Sequence, residues 1–273
     1  MLIATEMFTQ QYWLMDKTKR IAVVGPLPPP FGGMANQTRQ LVSLLQSDGY
    51  DVELVQVNPT YKPAWLARVK WLRAFPRLIQ YTTRLWKVAG RVSLFHVMAN
   101  SGMSWYLFAM PAIWIGHIRG IPTILNYRGG EADRFFYSSF RWVKPTLDRA
   151  SAVIVPSGFL AYVFGKRNVN TRIVPNIIDL SLFAPKERTK AANQKNGVQI
   201  IVPRNLEPIY DVATALRAFK DVKKYVPKSK LIVTGSGAER ESLEALAVEL
   251  GIQEDVTLTG KVDNTAMAAL DKS

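Results

Sequence analysis

The chain alternates short apolar segments with longer segments of helical periodicity, and this alternation constrains its fold more than any other feature. Helical patterns, such as the one over residues 34–46, separate most of the apolar runs. Continuous apolar strands that alternate with helices are typical of a parallel sheet covered on both faces. The sequence therefore predicts a doubly wound α/β domain over residues 20–185, with strands RIAVVG (20–25), VELVQV (52–57), SLFHV (93–97), PTILN (122–126) and AVIVP (152–156).

The alternation stops at KERTKAANQKNG, residues 186–197, and then resumes. This polar stretch is interpreted as a linker between domains, and residues 1–19 as an N-terminal tail. After the linker come VQIIVP, KLIVTG and DVTLTG, with helical patterns over residues 211–225 and 238–250 between them. Residues 198–273 are therefore expected to form one half of a second doubly wound domain, since such domains usually contain two halves. The strand VQIIV would then lie at a sheet edge, which favours a product longer than 273 residues.

Charge and composition restrict the possible partners. The 35 Lys and Arg residues outnumber the 21 Asp and Glu residues, for a net charge of +14. Such an excess indicates nucleic acid, an anionic lipid surface or a phosphate-bearing substrate as partner, or else a generally basic surface. The chain has no cysteine and only two histidines, so thiolate and multi-histidine metal sites are not expected. No secretory signal is recognised, and the most apolar segment, residues 101–118, is interpreted as a helix buried against the sheet rather than a membrane span.

A loop rich in proline and glycine, GPLPPPFGG at residues 25–33, follows the first predicted strand. Ligands of open parallel sheets bind at this edge. Gly32 and Gly33 can adopt positive φ and carry no Cβ, so backbone N–H groups can approach an anion there, beside the N-terminus of the next helix. Neither GxGxxG nor GK[ST] is present. By itself the loop indicates either a phosphate site or a rigid proline corner.

Three later stretches also follow predicted strands. They are residues 155–185, which contain VPS and VPNIIDLSLFAP, residues 203–219, which contain PRNLEPIYD, and residues 234–246, which open with TGSG. Arg204 comes directly after a strand, where a guanidinium can bind a diphosphate through two hydrogen bonds. An ordinary surface arginine is an equally good interpretation. Gly235 and Gly237 predict a tight turn into a helix.

Together, in order and spacing, these four stretches resemble the family 4 glycosyltransferases of GT-B fold, over nearly the whole chain from residue 20. The resemblance implies two Rossmann-like domains, the second incomplete here. It implies a retaining, hexosyltransferase-type enzyme that needs no metal or other cofactor. Such an enzyme moves a sugar from a nucleotide-sugar donor to a saccharide or lipid-linked acceptor in cell-surface polysaccharide synthesis. The expected location is cytoplasmic, at the inner face of the membrane.

The resemblance also implies roles for individual residues. Arg204 is expected to bind the donor diphosphate and to offset the charge of the leaving nucleotide. Arg128 stands where the family often has a histidine and is expected to act as a second catalytic cation. The other expected donor contacts are Gly32, Gly33, Asn176, Asn205, Tyr210, Gly235 and Gly237, with Tyr210 in place of the usual lysine. The family's paired glutamates would lie beyond Ser273, so the 273 residues alone are expected to have little or no activity.

A basic segment, residues 61–91, contains eight Lys or Arg, three Trp and no Asp or Glu. Tryptophan interleaved with cations is typical of helices that bind at a membrane interface. The sequence predicts a membrane or acceptor surface made of Trp65, Arg68, Lys70, Trp71, Arg73, Arg77, Arg84, Trp86 and Lys87. Stacking on single-stranded nucleic acid is less favoured, and ordinary packing of the tryptophans on the sheet also remains open. Two alternatives to an enzyme remain open as well: a non-catalytic fragment or paralogue that binds an acceptor or a partner chain, and a basic nucleic-acid-binding α/β protein.

Overall fold

The computed structural model describes residues 20–29, 32–58, 74–178, 180, 183, 198–262, 266–267 and 269–270. The chain divides into two compact units, Met1–Ile177 and Ile178–Ser273. Most of residues 179–197 lie outside the described part, so the linker and the domain boundaries at residues 185 and 198 stay predictions.

The first unit contains a six-stranded sheet in which all neighbouring strands are parallel. The order is β2-β1-β3-β4-β5-β6, which confirms the predicted α/β class. The strands are β1 Ile21–Gly25, β2 Val52–Gln56, β3 Leu94–Ala99, β4 Thr123–Tyr127, β5 Ala152–Val155 and β6 Arg172–Ile173. The helices between them are α1 Gly33–Ser47, α2 Ala74–Ala89, α3 Met110–Ile118, α4 Ala132–Leu147 and α5 Gly158–Gly165.

The helices of the first unit form two separate cores with the sheet. Helices α2 to α5 share the larger core, which includes Leu85, Ile113, Phe136 and Phe164. Helix α1 packs on a different set of strand residues, which includes Val23. In the sheet, β1 has β2 on one side and β3 on the other, so the strand order reverses between β1 and β3. Open α/β sheets bind ligands beyond the carboxyl ends of the strands at such a reversal.

The most apolar segment is a buried helix, as the sequence predicts. A π-helical turn, Trp105–Ala109, runs directly into α3. Trp105, Ala112 and Ile113 are buried in the larger core, so the apolar side chains of this segment are used for packing on the sheet. Within the described residues, no helix combines the length and the apolar character needed to cross a bilayer.

The second unit contains three parallel strands in the order β7-β8-β9. They are β7 Gln199–Pro203, β8 Lys230–Thr234 and β9 Val256–Gly260, connected by α6 Val212–Tyr225 and α7 Arg240–Glu249. Leu216, Phe219, Leu231 and Leu243 form the centre of the core. Among the described strands, β7 lies at an edge, as predicted for VQIIV.

Candidate functional site

The loop after β1 ends in an extended glycine and leads into α1. Gly32 is the N-cap, with φ −161 and ψ 162, and Gly33 is the first residue of the helix. The positive φ that glycine permits is not used at Gly32, whose extended conformation any residue can adopt. A Cβ at either glycine would meet no described atom within 4 Å. The packing of the described residues thus does not require glycine at either position.

The preceding loop is held by a side chain that follows β2. Asn58 accepts a hydrogen bond from the Leu27 N–H at 2.8 Å and donates one to the Leu27 carbonyl at 2.7 Å. Its Nδ2 also donates to the carbonyl of Pro29 at 3.1 Å. The sequence left a rigid corner and a phosphate site as alternatives. The two are compatible in this structure, because Asn58 fixes the corner and Gly32 and Gly33 follow it.

Arg128 follows β4, and its guanidinium is hydrogen-bonded to neutral amides. The Nε donates to Asn126 Oδ1 at 3.0 Å, and Nη1 donates to Gln37 Oε1 at 3.3 Å and to Asn176 Oδ1. None of the ion pairs among the described residues involves Arg128. Its partial burial lowers the pKa of the guanidinium. A half-buried cation without a neutralising carboxylate attracts anions.

Gln37 links this cation to the beginning of α1. It lies one helical turn after Gly33, so the two residues share a helix face. Its Oε1 accepts from both Arg128 and the Ile177 N–H, while its Nε2 donates to the Ile177 carbonyl. The structure therefore brings three predicted site residues of the first unit, Gly33, Arg128 and Asn176, around Gln37. Gln37 itself was not predicted, because nothing in the local sequence marks it.

A buried histidine orients the amide that supports Arg128. His96, on β3, lies 3.0 Å from Asn126 Nδ2. Because Asn126 Oδ1 accepts from Arg128, its Nδ2 faces the imidazole, and His96 Nε2 must be the acceptor. Burial, with a smaller contribution from the positive charge of Arg128, lowers the pKa of His96 to about 4. His96 is thus a neutral orienting group in this network at neutral pH.

In the second unit, Arg204 follows β7 and is exposed to solvent. Its guanidinium lies 5.8 Å from the ring centre of Tyr210, which stands in a 3-10 turn, Pro208–Tyr210. Asn205 is also exposed. The structure therefore brings Arg204 and Tyr210 together, within reach for a cation–π contact. Their roles in donor binding stay predictions.

Gly235 and Gly237 allow the loop after β8 to pack against the loop that carries Arg204. A Cβ on Gly235, which has φ +146, would lie 2.2 Å from the Arg204 carbonyl oxygen. One on Gly237 would lie 2.1 Å from the Leu206 carbonyl oxygen. Leu206 N–H donates to the Ser236 carbonyl at 3.2 Å across this contact. These glycines are required by packing, and a direct donor contact at them stays a prediction.

The predicted membrane surface is described only in part. Trp65, Arg68, Lys70, Trp71 and Arg73 lie outside the described residues. Arg84 donates to the backbone carbonyl of Leu54, within the edge strand β2, at 2.8 Å. Arg77 donates to the carbonyl of Val57, just beyond that strand, at 2.9 Å. Trp86 and Lys87 are exposed, and the Arg119 guanidinium lies 5.0 Å from the ring centre of Trp86.

Within the described ranges, no three His, Asp or Glu side chains gather into a possible metal site. Independence from metal stays a prediction.

Three comparisons place the chain among known proteins. Alpha-monoglucosyldiacylglycerol synthase of Streptococcus pneumoniae (strain ATCC BAA-255 / R6) is 27% identical in an alignment 171 residues long, which covers 55% of this chain and 39% of that protein. The chain thus spans about two fifths of the length of this relative. The lipopolysaccharide outer core galactosyltransferase WaaB, in its apo form, superposes with a TM-score of 0.58 at 15% identity over 93% of this chain and 71% of WaaB. UDP-GlcNAc 2-epimerase from Methanocaldococcus jannaschii gives a TM-score of 0.56 at 9% identity, over 93% of this chain and 76% of the epimerase.

The structural similarities confirm the predicted GT-B-like class of two Rossmann-like domains. They do not separate a transferase from an epimerase, because both kinds of enzyme share the fold. The sequence makes that distinction. Residues 31–182, which are 152 of the 273, match the model described as Glycosyltransferase Family 4, and residues 183–273 match Glycosyl transferases group 1. The family that the four sequence stretches predict is confirmed: the chain belongs to glycosyltransferase family 4.

Proposed function

We propose that this chain acts as a retaining glycosyltransferase, moving a sugar from a nucleotide-sugar donor to a saccharide or lipid-linked acceptor in the synthesis of a cell-surface polysaccharide or glycolipid. The observation that carries the proposal is the Arg128 guanidinium, which is held by Asn126, Gln37 and Asn176 without a neutralising carboxylate among the described residues. Gln37 also places it within one helical turn of the N-terminus of α1. A helix N-terminus and a guanidinium both favour phosphate oxygens.

In this mechanism the cations stabilise the leaving group. Negative charge accumulates on the nucleoside diphosphate as the bond from the anomeric carbon to the phosphate oxygen breaks. Arg128 and Arg204 would offset that charge through hydrogen bonds that strengthen in the transition state. The glycines at the start of α1 would let the diphosphate approach the backbone. UDP is the first nucleotide to test, because the epimerase of the same fold is named for a UDP-sugar.

The proposal includes a peripheral location on the cytoplasmic face of the membrane. The net charge of +14 and the exposed pair Trp86 and Lys87 support it. The similar synthase is named for a diacylglycerol glycolipid, which makes a lipid-linked acceptor the first to test.

Calorimetric titration of the 273-residue chain with UDP tests the proposal. We expect saturable binding that UDP-sugars reproduce. Where product forms, NMR of its anomeric proton should report the donor's configuration. Absence of UDP binding, together with tight binding of single-stranded DNA, would favour the nucleic-acid alternative instead.

A further inference from the structure

The outer faces of α4 and α5 carry large aromatic side chains in solvent. Tyr137 and Trp142 on α4 are 87% and 64% exposed, and Phe159 and Tyr162 on α5 are each 62% exposed. The two helices lie side by side, since Phe136 and Phe164 on their inner faces pack edge to face with ring centres 4.8 Å apart. Single exposed aromatics are common on soluble proteins, whereas these two adjacent helices carry four.

Cations accompany these rings. The Arg141 guanidinium lies 5.0 Å from the ring centre of Trp142, and Lys166 Nζ lies 4.5 Å from that of Tyr162. Phe159, Tyr162 and Lys166 follow one another at helical spacings of three and four, so they share one stripe on α5 and the turn after it. We call the set of Tyr137, Arg141, Trp142, Phe159, Tyr162 and Lys166 the α4–α5 surface.

Negative charge is scarce around this surface. Residues 151–178 contain three Lys or Arg and no Asp or Glu. Asp133 is the one acidic residue within α4, and Asp148 beyond its end is paired with Lys144 at 2.7 Å. A positive surface that presents tryptophan, tyrosine and phenylalanine is complementary to anionic headgroups above acyl chains.

We propose that the α4–α5 surface docks on an anionic bilayer, as a second contact besides the predicted segment at residues 61–91. Helix α2, which contains the described end of that segment, packs in the same core as α4 and α5 on one side of the sheet. Two contacts on one side fix the orientation of the unit, where one contact would let it rotate. This inference rests on the proposed membrane location and not on sugar transfer.

Vesicle flotation of the full chain tests the docking. The variants are Trp142→Ala/Tyr162→Ala and Arg141→Ser/Lys166→Ser, and the probes are phosphatidylcholine vesicles with and without phosphatidylglycerol. We expect binding to the anionic vesicles to fall about fivefold for each cation removed, with a comparable loss for the aromatic pair. Tyr225→Ala and Lys220→Ser are matched controls in the second unit, since both side chains are exposed there, and they should bind as the wild-type chain does. Thermal unfolding should not change in any variant, because every altered side chain is exposed.

Three results would overturn the docking. Unchanged vesicle binding in both α4–α5 variants would assign binding to residues 61–91 alone. Equal binding to neutral and anionic vesicles would remove the electrostatic basis. Light scattering that shows a wild-type dimer, lost in the variants while vesicle binding persists, would assign the surface to self-association. UDP titration of the same variants separates this inference from the proposed function. The affinity of both α4–α5 variants for UDP should stay at the wild-type value. Failure of the wild-type chain to bind UDP would contradict sugar transfer and leave the docking untouched.

Discussion

Gln37 binds Ile177 through both ends of its side-chain amide: Nε2 donates to the Ile177 carbonyl at 2.9 Å, and Oε1 accepts from the Ile177 N–H at 2.8 Å. The same Oε1 accepts from Arg128 at 3.3 Å. One neutral side chain on α1 therefore fixes both the last residue of the first unit and the cation that we propose for donor binding. A neutral amide can do this without neutralising the guanidinium, which a carboxylate would do.

Gln37→Glu tests that distinction with little change of volume. The variant places a negative charge beside Arg128 and removes both Nε2 donors, so UDP binding should weaken about tenfold or more. Gln46→Glu, exposed on the same helix, is the matched control and should bind UDP as the wild-type chain does. Wild-type UDP affinity in Gln37→Glu would show that the free charge of Arg128 is not used.

The glycines of the two units should respond differently to alanine. At Gly33 a Cβ meets no described atom within 4 Å, so Gly33→Ala should keep the stability of the chain and weaken UDP binding. At Gly235 the positive φ and the 2.2 Å approach to the Arg204 carbonyl should make Gly235→Ala lose stability, by about 1–3 kcal/mol. Urea unfolding and UDP titration of both variants provide the test. Equal stability losses would contradict the assignment of Gly33 to a ligand and Gly235 to packing.

His96 should make the stability of the first unit depend on pH. Its pKa falls from 6.5 to about 4 in the folded chain, mainly through burial. The unfolded chain therefore binds more protons between these values, and stability that is complete above pH 6.5 is lost as the pH falls toward 4, by about 3 kcal/mol in all. Unfolding measured at pH 7, 5.5 and 4.5 should show this slope in the wild-type chain and a shallower one in His96→Gln. Parallel slopes would mean that His96 is not buried as a neutral group.

The basic segment before α2 should contribute to vesicle binding through its charge. Arg68, Lys70 and Arg73 lie outside the described residues, and their replacement by serine removes three positive charges from the segment. We expect the triple variant to bind anionic vesicles at least tenfold more weakly, given about 1 kcal/mol per cation. Arg217→Ser, on α6 of the second unit, is the control. Binding that is insensitive to salt and equal on neutral vesicles would contradict an electrostatic contact.

The sequence predicts the backbone of this protein better than its side-chain network. β1, β2, β4, β5 and β7 to β9 lie within one residue of their predicted bounds, because apolar runs report burial directly. β3 runs two residues beyond its predicted end at Val97, where Met98 and Ala99 are also buried. The carboxyl-edge positions of Arg128 and Arg204 follow from the same strands and loops.

No local sequence pattern indicates the contacts around Arg128. Gln37 and Ile177 are 140 residues apart, and His96 and Asn126 are 30 apart, so only the folded sheet and α1 bring them together. The TGSG turn was predicted, but the reason for its glycines is the Arg204 loop, which lies against it only after β7 and β8 pair. The residue type of Gly32 permits positive φ, yet Gly32 is an extended N-cap at the start of α1.

The most direct test of the central claim is calorimetric titration of UDP and of uridine into the wild-type chain, Arg128→Ala and Arg204→Ala, with Arg217→Ala as control. If both guanidinium groups bind the diphosphate, UDP affinity should fall about ten- to a hundredfold in each of the first two variants. Uridine binding should change in none of them, and the control should bind UDP as the wild-type chain does. Wild-type UDP affinity in either Arg128→Ala or Arg204→Ala would contradict the account.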